Sequence, residues 1–201
     1  MASVGKRLGV MGGTFDPIHY GHLVTAQEAL VQFHLDEVLF VPTGSPWMKA
    51  HDRVSPPEDR YLMTVIATAS NPKFAVSRIE VDRAGPTYAV DTLRTIRDEQ
   101  GAGTDLFFIT GADAMLEIFH WKEPEELFEL ADFIAATRPG YDIAAFEADA
   151  TTRHPRVFVM NIPALAISST DIRARIAEGR PIRYLVPEGV KSYVEKAGLY
   201  R

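Results

Sequence analysis

Short apolar runs alternate with amphipathic segments along the chain. The runs predict buried strands at residues 8–11, 38–41, 74–76, 106–109, 133–136 and 157–160. Apolar residues at helical spacing predict helices at residues 22–33, 58–69, 87–100, 114–119, 124–129, 169–178 and 187–197. Apolar strands separated by helices are typical of a parallel sheet with helices on both faces. We therefore predict a single α/β domain over residues 1–201, with a helical segment at its C-terminal end.

The composition fits one globular domain and narrows its class. The chain has 201 residues, of which 46% are hydrophobic and 24% are charged, close to the usual values. A formal net charge of −6 argues against a broad nucleic-acid-binding surface. The chain has no cysteine, which excludes disulfides, thiolate nucleophiles and cysteine-based zinc sites. No apolar segment has signal-peptide or membrane-spanning length, so we expect a cytoplasmic protein with no membrane or nucleic-acid partner.

The most informative stretch is GGTFDPIHYGH at residues 12–22. Gly12 and Gly13 follow a predicted strand, and the next helix directs its N-terminal amides to the same space, which suits a phosphate. The stretch matches neither the Walker pattern nor GxGxxG. His19 and His22 can both donate hydrogen bonds to phosphate oxygens and so stabilise charge that builds on phosphorus. From their spacing alone they are also compatible with surface residues, or with a metal pair that lacks a third ligand.

A second phosphate-binding pattern, ISSTDIR, lies at residues 167–173. Ser168 or Ser169 suits the N-cap of the following helix. The same helix start presents backbone amides, hydroxyls and Arg173 to an anion. Without other information, this pattern is simply that of a well-capped helix.

Together the two motifs resemble the HxGH nucleotidyltransferase superfamily, whose members transfer a nucleotidyl group from a nucleoside triphosphate. His19-Tyr20-Gly21-His22 matches the signature, and residues 167–173 resemble the ISSTxIR element that binds the ATP β- and γ-phosphates in relatives. The resemblance implies a Rossmann-like doubly wound sheet. It also implies ATP contacts from Gly12, Gly13, Thr14, Phe15, His19, His22, Gly111, Asp113, Ile167, Ser168, Ser169, Thr170 and Arg173. His19 argues against the pantetheine phosphate branch, which usually carries Thr at this position.

Further segments resemble nicotinate mononucleotide adenylyltransferases of the bacterial type. GPTYAVDTL at residues 85–93 is similar to the segment whose backbone amides meet the nicotinate carboxylate, which implies contacts from Thr87 and Tyr88. Without the resemblance, Thr87 would be interpreted as a helix start. Trp121 matches the aromatic residue that stacks on the pyridine ring, although a tryptophan is also a common core residue.

Two more parallels concern the ends of strands. Gly111-Ala112-Asp113 matches the family's GAD, which implies that Asp113 lies against the ATP ribose. Arg138 begins an RPG turn like that of the family, which implies a place near the adenine or the acceptor. It is also compatible with a simple ion pair.

The loop at residues 43–57 departs from the family pattern. Relatives commonly carry a Pro-Pro-His-Lys-like run where this chain has Ser45-Pro46-Trp47-Met48-Lys49. Lys49 is kept, and the resemblance implies that it meets the acceptor phosphate, with Thr14 also contacting the substrate. The histidine is missing, and this leaves the contacts and motion of the loop open.

The resemblance implies transfer of AMP from ATP to nicotinic acid mononucleotide, by direct in-line attack without a covalent intermediate. His19, His22, Lys49 and Arg173 are the predicted catalytic residues, and Mg²⁺ is expected to enter with ATP. The alternatives are the same chemistry on nicotinamide mononucleotide or phosphopantetheine, and a nucleotide sensor without turnover. The preference for acid over amide and the oligomeric state, a homo-oligomer included, stay open.

Overall fold

The computed structural model describes residues 5–46, 54–137, 154–163 and 165–201. In chain order the strands are β1 (Arg7–Gly13), β2 (Glu37–Pro42), β3 (Ser45–Pro46), β4 (Phe74–Val76), β5 (Pro86–Thr87), β6 (Asp105–Gly111), β7 (Asp132–Thr137) and β8 (Val157–Asn161). The helices are α1 (Tyr20–Gln32), α2 (Pro57–Thr68), α3 (Ala89–Gln100), α4 (Ala112–Leu116), α5 (Pro124–Leu130), α6 (Ser169–Ala177) and α7 (Glu188–Ala197). None of the helices in the described residues combines the length and the apolar character of a membrane span.

Six strands form one parallel sheet in the order β4-β2-β1-β6-β7-β8. The chain runs outward from β1 to β4, returns to place β6 beside β1, and then runs outward to β8. Adjacent strands β1 and β6 therefore lead to connections on opposite sides of the sheet. In doubly wound sheets, ligands bind at the carboxyl ends of strands at this switch point. The predicted doubly wound fold is confirmed.

Helices cover both faces of the sheet, and each face has its own apolar core. One core joins α1, α2, α6 and α7 to strand residues such as Met11, Phe40 and Ile109. The other joins α3, α4 and α5 to strand residues such as Val10 and Phe108. Because successive strand residues face opposite sides, strands buried on both faces are apolar throughout. This is the pattern from which the fold was predicted.

Two local predictions were wrong. Thr87 does not start a helix: it lies in the two-residue strand β5, which pairs with β3 in the register Pro46↔Thr87, and α3 begins two residues later. A β-branched threonine after a proline favours extended backbone, and the pairing with β3 holds it there. Gly12 and Gly13 do not follow the first strand but belong to it, because both remain paired with β2 up to Gly13↔Pro42.

Candidate active site at the switch point

Two cavities lie at the carboxyl ends of β1 and β6, and Thr110 lines both of them. The histidine cavity, of about 220 Å³, is the one lined by both histidines of the first motif. The predicted site residues that line it are His19, His22, Gly111, Ile167 and Ser168. The tryptophan cavity, of about 240 Å³, is lined by the predicted residues Gly12, Gly13, Thr14, Thr87, Tyr88 and Trp121. Gly12 and Gly13, predicted as ATP contacts, therefore line the second cavity.

His19 and His22 form a stacked pair at the start of α1. Their ring centroids are 3.7 Å apart and the rings are inclined by 23°. The backbone N–H of His19 donates to Nδ1 of His22 at 3.3 Å. Because Nδ1 accepts, the neutral His22 ring carries its proton on Nε2. A Cβ on Gly21 would lie 2.9 Å from Cε1 and Nδ1 of His19, so the glycine of HxGH makes room for the first imidazole.

Phe15 lies beneath this pair rather than in a cavity wall. Its side chain is buried, and its ring packs edge-on against His22 with centroids 5.1 Å apart. Its backbone has a positive φ of 49°, a strained conformation for a bulky residue. A Cβ on Gly13 would lie 2.7 Å from Cε1 of Phe15, so Gly13 allows the ring to fold back under the turn. Phe15 thus supports the orientation of His22.

The second phosphate motif packs directly on the first. Ser168 caps α6, its hydroxyl accepting from the backbone N–H of Asp171 at 3.1 Å. The Ser169 hydroxyl donates to the carbonyl oxygen of Pro17 at 2.9 Å. Nη1 of Arg173 donates to the carbonyl oxygen of Asp16 at 2.8 Å. The structure therefore brings the two motifs together, with the N-terminus of α6 beside the histidine cavity.

Asp16 anchors this junction through a buried carboxylate. Its Oδ1 accepts from the Tyr200 hydroxyl at 2.6 Å, and its Oδ2 accepts from the backbone N–H of Ser55 at 3.2 Å. Burial, together with the hydrogen bond to Asp16, raises the pKa of Tyr200, so the phenol stays protonated and donates. The carboxylate of Asp16 is thus engaged in holding the turn.

The tryptophan cavity has an aromatic wall and a cationic rim. The Trp121 indole packs edge-on against Phe108, with centroids 6.1 Å apart, and its buried Nε1 has no hydrogen-bond partner among the described residues. Nζ of Lys122 binds a carboxylate oxygen of Asp91 at 3.0 Å and lies 4.9 Å from the centre of the Tyr88 ring. Aromatic faces beside a cation suit a flat, anionic heterocycle.

Glu80 lines the tryptophan cavity and was not among the predicted site residues. It is only 6% exposed, and one carboxylate oxygen accepts from the Thr92 hydroxyl at 2.7 Å. Burial raises the pKa of Glu80, and the hydrogen bond from Thr92 opposes that shift. A Cβ on Gly44 would lie 2.0 Å from the Glu80 carbonyl oxygen, so this close approach requires glycine. No periodicity in residues 77–85 points to Glu80.

Arg60 was also missed, although it is only 1% exposed. Its guanidinium donates to the carbonyl oxygens of Thr14, Gly44 and Ser55, each at 2.9 Å. It lies on the face of α2 that also buries Met63 and Ala67. The signal in the sequence is therefore a charged residue at an apolar helical position, three and seven residues before two core residues.

The remaining predicted residues lie apart from the two cavity walls. Asp113 is exposed in the first turn of α4, just beyond Gly111. Thr170 is exposed in the first turn of α6, and Nη2 of Arg173 reaches its hydroxyl at 3.5 Å. Lys49 and Arg138 lie outside the described residues, as do Trp47 and Met48 of the Ser45–Lys49 run in which the sequence departs from the family pattern.

Comparison with known proteins identifies close relatives. A family model described as cytidylyltransferase-like matches residues 10–175. A probable nicotinate-nucleotide adenylyltransferase of Streptomyces coelicolor is 60% identical over 191 residues, covering 95% of this chain and 99% of the relative. One from Salinispora arenicola is 59% identical over 191 residues, covering 95% and 100%. Plasmodium falciparum nicotinic acid mononucleotide adenylyltransferase complexed with NaAD superposes with a TM-score of 0.78 at 22% identity, covering 97% of both chains, which supports the fold.

Proposed function

The chain belongs to the nicotinate-nucleotide adenylyltransferases, within the broader cytidylyltransferase-like family, and on that premise we propose that it transfers AMP from ATP to nicotinic acid mononucleotide. The products are nicotinic acid adenine dinucleotide and pyrophosphate, and the reaction belongs to NAD synthesis. The observation that carries the proposal is the pair of adjoining cavities that share Thr110. One cavity has phosphate-binding chemistry and the other has an aromatic, cation-rimmed wall.

ATP occupies the histidine cavity in this proposal. The ring proton of His22 on Nε2 supplies a hydrogen-bond donor for phosphate oxygens, and His19 stacks against the same ring. The N-terminus of α6, with Ser168, Ser169, Thr170 and Arg173, binds the β- and γ-phosphates, where backbone amides and a cation attract negative charge. Gly111 and Asp113 lie next to the ribose.

The mononucleotide occupies the tryptophan cavity. The pyridine ring stacks on Trp121, and the segment at Thr87 and Tyr88 offers backbone amides to the nicotinate carboxylate. The Lys122 ammonium on the rim favours an acidic ring substituent over a neutral amide, although its pairing with Asp91 reduces that preference. Lys49 and Arg138 keep their roles towards the acceptor as predictions.

Catalysis follows from positioning and charge stabilisation. An oxygen of the acceptor 5′-phosphate attacks the α-phosphorus of ATP, the bond from that phosphorus to the bridging oxygen breaks, and pyrophosphate leaves. A phosphate monoester is already ionised near neutral pH, so the step needs no strong general base. His19 and His22 stabilise the charge on the phosphorus oxygens, and Arg173 stabilises the departing pyrophosphate.

Mg²⁺ bound to ATP would neutralise phosphate charge in this reaction. Across residues 5–46, 54–137, 154–163 and 165–201, no three or more His, Asp or Glu side chains are grouped to hold a metal ion. We therefore propose that phosphate oxygens and water supply most of its ligands. A cytoplasmic location, and action without membrane or nucleic-acid partners, stay predictions.

The proposal is tested by measuring pyrophosphate release from ATP and Mg²⁺ with three acceptors in parallel: nicotinic acid mononucleotide, nicotinamide mononucleotide and phosphopantetheine. We expect the acid to be strongly preferred. Preference for another acceptor would keep the chemistry and overturn the assignment of Thr87, Tyr88 and Trp121. Tight ATP binding without release from any acceptor would instead favour a nucleotide sensor.

A further inference from the structure

One buried side chain joins several backbone segments beside the tryptophan cavity. The Arg60 guanidinium donates hydrogen bonds to the carbonyl oxygen of Thr14 at 2.9 Å and to the hydroxyl of Thr43 at 3.2 Å. Both threonines line that cavity. It also bonds the carbonyl oxygens of Gly44 and Ser55. Arg60 itself lines neither cavity. We propose that Arg60 is a positioning residue that sets the acceptor cavity against the phosphate turn, an inference that rests on the function proposed above.

The bonds of Arg60 link segments that otherwise belong to different strands. Thr14 follows β1 in the turn that leads to the histidines, whereas Thr43 and Gly44 follow β2. Ser55 also donates its backbone N–H to Asp16, so the link reaches the junction of the two phosphate motifs. The rigid fork of a guanidinium can hold several acceptors at fixed angles, which an ammonium cannot. One side chain therefore fixes the wall of one substrate cavity relative to the turn of the other.

Stability alone does not account for a charge in this place. Burial lowers the pKa of Arg60, and the nearby Asp16 carboxylate opposes that shift. Replacing a buried charged group and its partners by well-packed apolar residues is often neutral or stabilising. What the guanidinium adds is geometry. The pairing of β1 with β2 ends with the bond from the Thr43 N–H to the carbonyl oxygen of Gly13, and Arg60 holds the next residues, Thr14 and Gly44, together with Ser55.

The rate of the proposed reaction depends on how the two substrates are placed relative to each other. The attacking acceptor phosphate and the α-phosphorus are held in separate cavities, so their approach is set by the relative placement of the two walls. A displacement of about 1 Å can lower the rate of a positioned reaction by roughly 100-fold. Weakening the hydrogen bonds of Arg60 should therefore reduce turnover and the affinity for the mononucleotide. The affinity for ATP, measured without the mononucleotide, should not change.

The experiment compares Arg60→Lys with Arg97→Lys. Arg97 is the control because its guanidinium also donates to backbone carbonyl oxygens, those of Thr104 and Leu130, which lie at the amino ends of β6 and β7, far from the cavities. It is half-buried, whereas Arg60 is buried. For each variant we would measure kcat, KM for both substrates, the Kd of each substrate alone and the melting temperature. We expect Arg60→Lys to lower kcat by about tenfold or more and to raise the Kd of nicotinic acid mononucleotide by a similar factor. We expect its Kd for ATP to stay within about twofold of the wild-type value, and Arg97→Lys to change only the melting temperature.

A milder pair keeps the test decisive if Arg60→Lys does not fold. Thr43→Val removes one acceptor of the guanidinium. Thr68→Val is its control, because the Thr68 hydroxyl bonds the carbonyl oxygen of Thr64 within α2 and has no contact with Arg60, although Thr68 is buried and Thr43 only half-buried. We expect Thr43→Val to raise the mononucleotide Kd and Thr68→Val to leave it unchanged. Equal effects within either pair, or equal effects on both substrates, would overturn the positioning role.

The binding measurements separate this inference from the proposed function. If the wild-type protein shows no turnover but binds both substrates, the proposed reaction fails, and a selective loss of mononucleotide binding in Arg60→Lys still supports the positioning role. If the wild-type protein turns over and Arg60→Lys behaves like Arg97→Lys, only the positioning role fails. If the wild-type protein binds neither substrate, both fail.

Discussion

The hydroxyl of Ser169 donates to the carbonyl oxygen of Pro17 at 2.9 Å, across 152 positions of sequence. Arg173 makes a second link of this kind, to the carbonyl oxygen of Asp16 at 2.8 Å. The two phosphate motifs are therefore one structural unit, although they come from opposite ends of the described chain. A substitution in either motif is expected to affect the placement of the other.

The donor on His22 Nε2 is expected to be essential for turnover. His22→Asn keeps an acceptor near the position of Nδ1, so the bond from the His19 backbone can persist, but it removes the donor at Nε2. We expect kcat to fall by about 100- to 1,000-fold, the usual effect of removing one donor to a developing charge. His22→Gln keeps a donor and should lose less.

Steady-state kinetics of both variants check this prediction, with circular dichroism to verify folding. His34→Asn is the matched control, since His34 is exposed and has a positive φ of 50° that asparagine tolerates. It should retain wild-type kcat. A near-normal kcat in His22→Asn would refute the proposed role of Nε2.

Trp121 is expected to act on the acceptor and not on ATP. Trp121→Ala removes the stacking surface and should raise KM for nicotinic acid mononucleotide about tenfold or more, with little change for ATP. Trp121→Phe keeps a ring and removes an indole N–H that has no partner among the described residues, so its melting temperature should be unchanged or higher. Substrate-varied kinetics and thermal unfolding check both. Equal changes in the two KM values would place Trp121 in the scaffold.

The buried hydrogen bond between Tyr200 and Asp16 is expected to stabilise the protein more than the half-buried one between Tyr193 and Asp59. Tyr200→Phe leaves one oxygen of a buried carboxylate without its donor and should cost about 1.5–3 kcal/mol of unfolding free energy. Tyr193→Phe removes the same bond, also 2.6 Å long, from the half-buried Asp59 and should cost only about 1 kcal/mol. Denaturant unfolding of both variants compares them. Equal costs would show that burial of Asp16 does not add to the strength of the bond.

The raised pKa of Glu80 predicts a pH dependence of stability. The folded state holds the Glu80 proton to a higher pH than the unfolded chain, so the carboxyl lowers stability as pH rises above about 4.5, its ordinary pKa. The free energy of unfolding of the wild-type protein should therefore fall relative to that of Glu80→Gln as pH rises above about 4.5. Chemical denaturation over a pH series measures the difference.

Glu58→Gln is a control of opposite sign for the Glu80 experiment. The hydrogen bond from Arg78 lowers the pKa of Glu58, so its contribution to stability is fully present above about 4.5 and is lost only as pH falls below it. The difference between the wild-type protein and Glu58→Gln should thus stay level over the pH range in which the Glu80 difference changes. A level Glu80 difference would contradict the raised pKa.

Local patterns in the sequence predicted most of the fold. Each buried strand has an apolar run of its own, so the six strands of the main sheet and the helices between them follow from periodicity. Strands β3 and β5 could not be predicted in this way, because two residues carry no period and their pairing joins segments about 40 positions apart. The same limit explains why Thr87 was taken for a helix start.

The phosphate-binding motifs were predictable because their chemistry is concentrated within a few residues. The reason for Gly21 was not, since only the folded backbone shows that the His19 ring occupies the space of its side chain. Glu80 and Arg60 could not be predicted as site residues, for a related reason. Their partners, such as Thr92 and Thr14, are distant in sequence, and a single charged residue gives no sign of the carbonyl or hydroxyl groups that surround it.

The two cavities meet at Thr110 but are built from largely separate parts of the chain. The histidine cavity takes its walls mainly from the start of α1 and from Ile162, Leu165, Ile167 and Ser168. The tryptophan cavity takes most of its own from the connections around Thr43, Glu80, Thr87 and Trp121. The acceptor specificity can therefore be redesigned separately from ATP binding. Substitutions around Glu80, Thr87 and Trp121 can be screened for new acceptors, whereas Thr43 should be kept because it binds Arg60.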